Sequence, residues 1–583
     1  MSDSKTATHD PSVSVRRCHL PLLRKGRKVP IDRSGGRLPL YLPIRPGDAL
    51  RMIEIPVLIA GGGPVGLTAS YMLSRLGIKS LLVERHPGTA IHPKARGINA
   101  RTMEIFHQQG IEADVRKAGL PPESVGLIVW TRTLSGEEIE RRVPFGQSAR
   151  RAEITPVRAC LCAQDYLEPV LRRCAERQPL GELRFNTELT SFEQDELGVV
   201  ATLTNTVTGA AEKVRAQYMI AADGTQSRVR NALGIAMHGE KDVYDSVNVL
   251  LEADLRPWTQ DRPAALYFIE NEKLRGTFLT INAHDRWGFL VNSLKVQGYK
   301  PEDFTPEWSA DLVRQAVGKP DLPVKVLGVA PWVASAQVAE RYIDGRIFLA
   351  GDAAHEMPPT GGFGMNTGVQ DVQNLCWKLA SVLQGKAAEQ LLQSYNDERQ
   401  PLGKTITEQA LANAISMCRT QKTLTNTSAR PEFLNEQGMI FGASYRSAAI
   451  VPDGTPPPVV PNPVTDYVPS GWPGVRAPHV WLRNDGEAKT STIDLIGKGF
   501  LLLTGAKGTA WVDAARGLEI EPVAVGTGAY VSADPQWRET YGIEESGAVL
   551  VRPDGHIGWR SAATAGDPAR ALGDAMNAIH GMA

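Results

Sequence analysis

Three short runs in this 583-residue chain have residue types and spacing that could do chemistry. The first is Gly61-Gly62-Gly63-Pro64-Val65-Gly66, a G-x-G-x-x-G pattern with glycines at 61, 63 and 66. Gly61 allows a tight turn, Gly63 lets backbone approach a pyrophosphate, and Gly66 permits close packing of a helix on a strand. The N-terminus of a helix opening there stabilises phosphate charge. Glu84 follows the third glycine at about the spacing of an acid that binds a ribose hydroxyl. An acid there points away from a 2′-phosphate, which leaves FAD or NAD, rather than NADP, as the resident dinucleotide. The second run is Asp223-Gly224, with Ser227 and Arg230 after it. The third is Gly351-Asp352, followed by Pro358-Pro359 and the glycine-rich Gly361-Gly362-Phe363-Gly364-Met365-Asn366. Taken alone, either Asp reads equally well as a helix N-cap.

The elements around these runs must bring them together. Residues 53–60 are apolar and rich in β-branched types, which predicts a buried parallel strand. Pro56 pushes the regular part of that strand after it. Residues 67–76 have helical periodicity and end near Gly77, a C-cap candidate. A second apolar run, 79–83, ends at Glu84. Strand, turn, helix, strand and acid in that order make a dinucleotide-binding unit. Residues 218–222 and 346–350 read as strands that end in the second and third runs. A helix predicted from near Thr367 carries Asp371, Asn374, Leu375, Trp377 and Lys378. No second glycine motif follows a second strand–helix unit, so no dedicated nicotinamide domain is expected. From Gly239 to about Glu340 the pattern alternates, as in residues 288–292, and predicts a sheet that covers the cofactor and forms a substrate pocket. Tyr267, Phe268, Arg275, Trp287 and Phe289 are pocket candidates, each more often core or surface than contact. His92 and His355 are candidate bases, although a lone His is usually structural.

With these motifs in order, the sequence resembles the flavoprotein aromatic hydroxylases, the single-component (class A) FAD monooxygenases. The resemblance covers residues 53 to 401, including the closing Tyr395-Asn396-Asp397-Glu398-Arg399-Gln400-Pro401. It is most similar to the phenol-type branch, that of 2,4-dichlorophenol 6-monooxygenase, 3-(3-hydroxyphenyl)propionate hydroxylase and the polyketide hydroxylases. The resemblance implies FAD as cofactor, with NADPH or NADH as a transient co-substrate. It implies hydroxylation of a phenolic ring with O₂, as in aromatic hydrocarbon catabolism, through a C4a-hydroperoxyflavin. Oxygenation of a polyketide or other larger substrate is the alternative, as is a non-catalytic FAD protein that binds a partner according to redox state. Gly61, Gly63, Pro64, Gly66, Glu84 and Arg85 are then cofactor-binding, with Asp223 near the pyrophosphate. Asp352 would accept a hydrogen bond from a ribityl hydroxyl, after Gly351. Pro359, Gly364, Met365 and Asn366 would place helix N–H groups at the pyrimidine edge of the flavin, where they stabilise negative charge. Arg96 would bind the cofactor or a substrate anion, Arg101 shares its segment, and Gln164 lies near the flavin. No catalytic side chain is identified, and the W-x-W-x-x-I-P signature of flavin halogenases is missing.

The remainder sets bounds. Net charge is +0 and pI about 7.2, which argues against bulk attraction to nucleic acid or anionic membrane. No run of roughly 18 apolar residues predicts a membrane span. Six scattered cysteines suggest a reducing, cytoplasmic setting, and the lone Cys160-Leu161-Cys162 is a weak metal signal, so no metal is expected. Residues 1–51, with Arg16-Arg17 and Arg24-Lys25-Gly26-Arg27-Lys28, are expected to be a disordered basic extension. A natural start at Met52, or a targeting or nucleic-acid-binding arm, are the other readings. The fold expected is α/β: a Rossmann-like FAD-binding domain (52–238 and 341–450) with an inserted β-sheet substrate domain (239–340). A Pro-rich linker (451–490) leads to a thioredoxin-like C-terminal α/β domain (491–583), without C-x-x-C and with no cysteine after Cys418. That domain is expected to serve structure or assembly, and a homodimer is implied by the resemblance alone.

Overall fold

The computed structural model describes residues 52–582 apart from 144–150, 418–429, 431, 484–488, 498, 528–529 and 533–535. The basic extension 1–51 and Cys418 therefore lie outside the described residues. The first strand, Met52–Ala60, is buried from Val57 onward. It runs straight through Pro56 because its second neighbour, Ser80–Val83, begins only alongside Val57. The residues before Val57 pair on one side alone, with Ala211–Ala221, so a missing N–H is tolerated there. The helix Pro64–Arg75 follows, and the parallel sheet runs in the order Ile347–Leu349, Ala211–Ala221, Met52–Ala60, Ser80–Val83, Gly181–Arg184. Ala60 stands beside Ala221 and Val83, and Ala221 beside Leu349. All three sequence motifs thus leave the same carboxyl edge, where open α/β sheets bind ligands.

A second sheet of eight strands stands against this edge. It takes in Met237–Glu252, Ala264–Glu270, Arg275–Thr280, Arg286–Asn292 and Lys325–Ala339, as the alternation predicted. It also recruits Leu127–Thr131, which pairs in parallel with Ala264–Glu270, and Glu138–Arg142 beyond it. Those two strands fall outside the expected 239–340 span. Side chains alternate between the faces. Val247, Val249, Tyr267, Phe278, Trp287 and Phe289 pack with Leu312 and Val313 of the helix Pro306–Val317. Asn248 lies on the opposite, inner face and donates to Pro93 O at 3.3 Å, so this face looks onto the 93–101 segment.

The C-terminal region is a small α/β unit. Phe500–Thr504, the helix Thr509–Ala514 and Ile520–Ala524 form a βαβ unit, and Ala548–Val551, Ile557–Ser561 and the helix Pro568–Ile579 complete it. Its strand order is 520–524, 500–504, 548–551, 557–561, with the first pair parallel and the others antiparallel. The segment before it is no mere surface linker. Arg476, Ala477 and Val480 are buried, and Trp481–Arg483 pairs with Lys489–Ser491.

Buried charges join this region to the first domain. Arg476 grips Glu104 with two nitrogens, Nε at 2.9 Å, and Arg101 reaches Glu104 at 3.0 Å and Asp554 O at 2.9 Å. Arg552 holds both oxygens of Glu398 at 2.7 and 2.8 Å and also pairs with Asp554, while Lys378 reaches Glu398 at 2.8 Å. Burial pushes the Lys378 ammonium down to about 8, against the pull of Glu398. Removing one partner from such a cluster leaves a charge buried without compensation. Arg552→Met is therefore expected to cost about 3–5 kcal/mol of stability, read as a lowered denaturant midpoint. An unchanged midpoint would show that the two regions do not depend on this contact.

Candidate functional site

The three glycines of the first motif have three separate reasons. Gly61 holds φ +110°, and a Cβ there would lie 2.2 Å from Ala222 O. A Cβ on Gly66 would lie 2.0 Å from Gly61 O. A Cβ on Gly63 would meet nothing within 4 Å. The first two glycines are required by the protein itself, whereas Gly63 borders open space. Pro64 is the first helical residue, where its missing N–H costs nothing. The helix it opens has neither a side-chain cap nor an acid in its first turn. Glu84 is fixed beside it, accepting from Gly62 N and from His86 N, both at 2.8 Å. Arg85 is exposed next to it.

The third motif closes on the first. Gly351 holds φ +62°, and a Cβ there would press within 2.9 Å of Val65. A Cβ on Gly368 would come within 2.6 Å of Val65 and 3.0 Å of Gly351 Cα. The helix Gly364–Leu383 therefore packs directly on both turns. Its N-terminus also lacks a side-chain cap and an acidic first turn. It is preceded by Gly361 and Gly362 at φ +113° and +69°, with Gly362 N donating to Pro359 O at 3.1 Å. Met365 packs against the core of the first domain. The side chain of Asp352 reaches open space although protein surrounds it, the position of a group lining a recess. That enclosure raises its carboxyl above the ordinary range, opposed by His355 and Lys94.

Other expected site residues bind backbone. Asn366 donates to Gly97 O at 2.9 Å and Gly362 O at 2.6 Å and accepts from Asn99 N at 3.0 Å. Gln164 accepts from Ala95 N at 3.2 Å and donates to Glu168 at 2.6 Å. Both amides thus shape the 93–101 segment. Asp223 accepts from Ser227 Oγ at 2.5 Å and Val229 N at 3.2 Å, at the start of the helix Arg228–Ala232. Arg230 of that helix donates to Ala353 O at 3.1 Å and so ties the second motif to the third. Arg101 is buried among Glu104, Gln373 and Asp554. Arg96 is different. It donates to Thr280 O at 3.1 Å, no carboxylate among the described residues acts on it, and burial lowers its guanidinium to about 10. It remains a cation at neutral pH and suits an anionic ligand.

The residues that fix these turns escape a reading by motif. Asp371, fully buried, accepts from Gly351 N at 3.0 Å, His355 Nε2 at 2.8 Å and Arg399 Nε at 2.8 Å. Arg399 also donates to Thr367 O at 3.1 Å and Tyr445 at 2.9 Å. His355 is thereby oriented through Nε2, and its Nδ1 has no hydrogen-bond partner among the described residues. His92 is half-buried with Nε2 unpartnered among the described residues, and burial holds its imidazolium below the usual range. Of the aromatic pocket candidates, Tyr267, Trp287 and Phe289 belong to the outer core, whereas Phe268 stacks on Trp130 with ring centroids 5.0 Å apart. Ile128, Leu266, Met417 and Leu434 pack around that pair.

Open space over Gly63, two uncapped helix ends, an unpaired Arg96 and a recessed Asp352 together fit a dinucleotide whose diphosphate and electron-rich ring both face N–H donors. Residues 54–410 match the model of an FAD binding domain, and residues 470–583 match the model of the C-terminal region of aromatic-ring hydroxylases. A relative from Streptomyces halstedii, provisionally named a polyketide hydroxylase, is 40% identical over 89% of this chain and 95% of its own. The 2,4-dichlorophenol 6-monooxygenase of Delftia acidovorans is 34% identical over 88% of this chain and 95% of its own. The crystal structure of the flavin-dependent monooxygenase PieE in complex with FAD and substrate superposes with a TM-score of 0.84. It is 36% identical and is matched over 91% of this chain and 100% of its own. Gly63→Val would fill only the open space. The purified variant is expected to fold with an unperturbed circular dichroism spectrum but to bind FAD at least ~100-fold more weakly, about 2.7 kcal/mol. Retention of yellow, stoichiometric flavin would place the diphosphate elsewhere.

Proposed function

The chain belongs to the FAD-dependent aromatic-ring hydroxylases and is an FAD-dependent monooxygenase, and from that premise we propose that it hydroxylates a polyketide-type aromatic substrate with O₂. The carrying observation is the match over both regions, stronger to the provisionally named polyketide hydroxylase than to the dichlorophenol enzyme. A simple phenol, and with it a place in aromatic hydrocarbon catabolism, is correspondingly less supported. The apolar character of the inner face, where the buried Trp130 and Phe268 stack with Leu266 beside them, supports a large flat ring system as substrate.

In this reading FAD, when bound, supplies the oxygen-transfer chemistry, and the protein supplies position and environment. The helix end at Gly63 and Pro64 and the Arg96 guanidinium would hold the diphosphate. Glu84 would take a ribose hydroxyl and Asp352 a ribityl hydroxyl. The N–H groups of Gly364, Met365 and Asn366 would stabilise negative charge on the reduced ring. NADPH or NADH is the proposed electron donor, admitted without a domain of its own. The proposed domain limits are 52–238 with 341–450 for FAD, 239–340 for substrate and 491–583 for the C-terminal region, with the second sheet extended by strands within residues 127–142. The order of the C-terminal strands favours a thioredoxin-like fold. No cysteine follows Cys418, which restricts that fold to support.

The test is ¹⁸O₂ labelling. With FAD, NAD(P)H and a panel of fused-ring and single-ring phenols, the product is expected to gain one ¹⁸O atom per NAD(P)H oxidised, with fused rings preferred. Oxidation that yields only H₂O₂ with every compound would remove the hydroxylase reading, and preference for a single-ring phenol would restore the simpler substrate.

A further inference from the structure

Among the described residues, four buried carboxylates face a guanidinium: Glu104 faces Arg476, Asp371 faces Arg399, and Glu398 and Asp554 face Arg552. Glu168, Asp245 and Glu436 form no ion pair there, and Glu168 accepts from Ala90 N and Gln164. Glu436 is 7% exposed, and Oε1 accepts a neutral hydrogen bond from Asn413 Nδ2 at 2.9 Å. The same Asn413 nitrogen donates to Thr360 O at 3.3 Å, in the turn that leads to Gly361. Among the described residues, the one charged group acting on Glu436 is Arg430, whose guanidinium is engaged with Glu432 at 3.0 Å and Gln409 at 2.9 Å. The facing groups of the helix Gln393–Ser416 and of the glycine-rich turn, Asn413 and Thr360, are uncharged. Burial therefore dominates and pushes the carboxyl up to about 7.

The position matters as much as the environment. Two residues earlier, Leu434 holds φ +72°, a conformation costly for a leucine and characteristic of functional segments. Its side chain packs with Trp130, Phe268 and Leu266 on the inner face of the sheet. Three residues later, Met439 packs with Phe363, Ile406 and Met357 beside the glycine-rich turn. Glu436 thus sits midway along a segment that bridges the aromatic wall and the turn proposed to hold the flavin edge.

We propose that Glu436 is the catalytic base that takes the proton from a ring hydroxyl of the substrate. The assignment rests on the hydroxylase reading above. In the step, the O–H bond of the ring hydroxyl breaks and a carboxyl O–H bond forms. Negative charge moves from Glu436 to the ring oxygen, and no atom changes oxidation state. The ring becomes more electron-rich ortho and para to that oxygen, where an electrophilic oxygen attacks. The proton returns from Glu436 to the ring oxygen of the product.

The experiment compares wild type with Glu436→Gln and Glu436→Asp, each loaded with FAD, using ¹⁸O product as readout. Wild-type turnover at saturating substrate is expected to rise with pH through about 7, because the base must be ionised. Glu436→Gln is expected to lose that rise and roughly 10²–10⁴-fold in turnover on hydroxyls that are neutral at the assay pH. On nitro-substituted phenols already ionised at that pH the loss should nearly vanish, and Glu436→Asp should restore part of the rate. A protonated-carboxyl infrared band titrating near pH 7 in wild type should be missing in Glu436→Gln. Equal loss on both substrate classes, or an unchanged pH profile in a flavin-loaded Glu436→Gln, would overturn the assignment alone. Absence of ¹⁸O product from wild type would instead overturn the hydroxylase reading that it rests on.

Discussion

The Asp371 carboxylate is the contact on which the geometry of the site depends. It is fully buried, and three donors from different segments converge on it: Gly351 N, His355 and Arg399. A buried charge is tolerated only when paired and hydrogen-bonded, so the carboxylate and its donors fix one another. The Gly351 N–H is thereby tied to the helix Gly364–Leu383, which carries Asp371. Gly368 on the same helix lets its backbone touch Gly351 and Val65. The turn after the first strand, the turn at Asp352 and the uncapped end of that helix consequently share one rigid frame. Hydrogen-bond donors held in this way need little rearrangement when charge develops on a bound ring.

The frame extends into the C-terminal region through the neighbouring residue. Arg399 serves Asp371, while Glu398 receives Arg552 and Lys378. Two adjacent side chains of one helix thus face two different buried networks. The turn containing Asp554 also meets Arg101, one residue into the helix Ala100–Gln108 that follows the 93–99 segment. A unit with no cysteine to exchange electrons still contacts two of the elements that border the proposed cofactor cradle. Buried ion pairs of this kind contribute little net stability compared with apolar packing, so a role in fixing one docking geometry is the more economical reading.

Sequence reasoning reached the motifs because their causes are local. The turn at Gly61 and the packing at Gly66 are imposed by backbone atoms a few residues away or one strand over, and the G-x-G-x-x-G spacing records them. It could not reach Asp371 with Arg399, which are 28 positions apart and meet only after two helices pack. It assigned Gln164 and Asn366 near the flavin but could not supply the contacts of their amides with backbone of the 93–101 segment. Nothing in either residue's neighbours reveals which group its amide will find. It also left residues 127–142 with the first domain, because a strand's sheet is decided by its partner. For residues 127–131 that partner, Ala264–Glu270, lies more than a hundred positions on. Glu436 was illegible for the same reason, since its environment is assembled from Asn413, 23 positions away, and the backbone of Leu434.

These placements divide the chemistry in two. In the proposed reading, the carboxyl edge supplies N–H groups, the Arg96 guanidinium and hydroxyl acceptors that would hold and polarise a ring, and the inner face of the sheet supplies apolar area that would orient a flat substrate and keep water from it. Water exclusion is what an oxygen-transfer step needs, because reactive oxygen is otherwise lost as peroxide. The same exclusion removes solvent as a proton acceptor for the substrate. A site of this design therefore requires an internal acceptor that is neutral enough to be buried and basic enough to ionise near pH 7. Paired carboxylates such as Glu104 and Glu398 are held too acidic by their arginines. Under the proposed assignment Glu436 meets the requirement because burial outweighs the opposing pull of Asn413, the Leu434 backbone and Arg430.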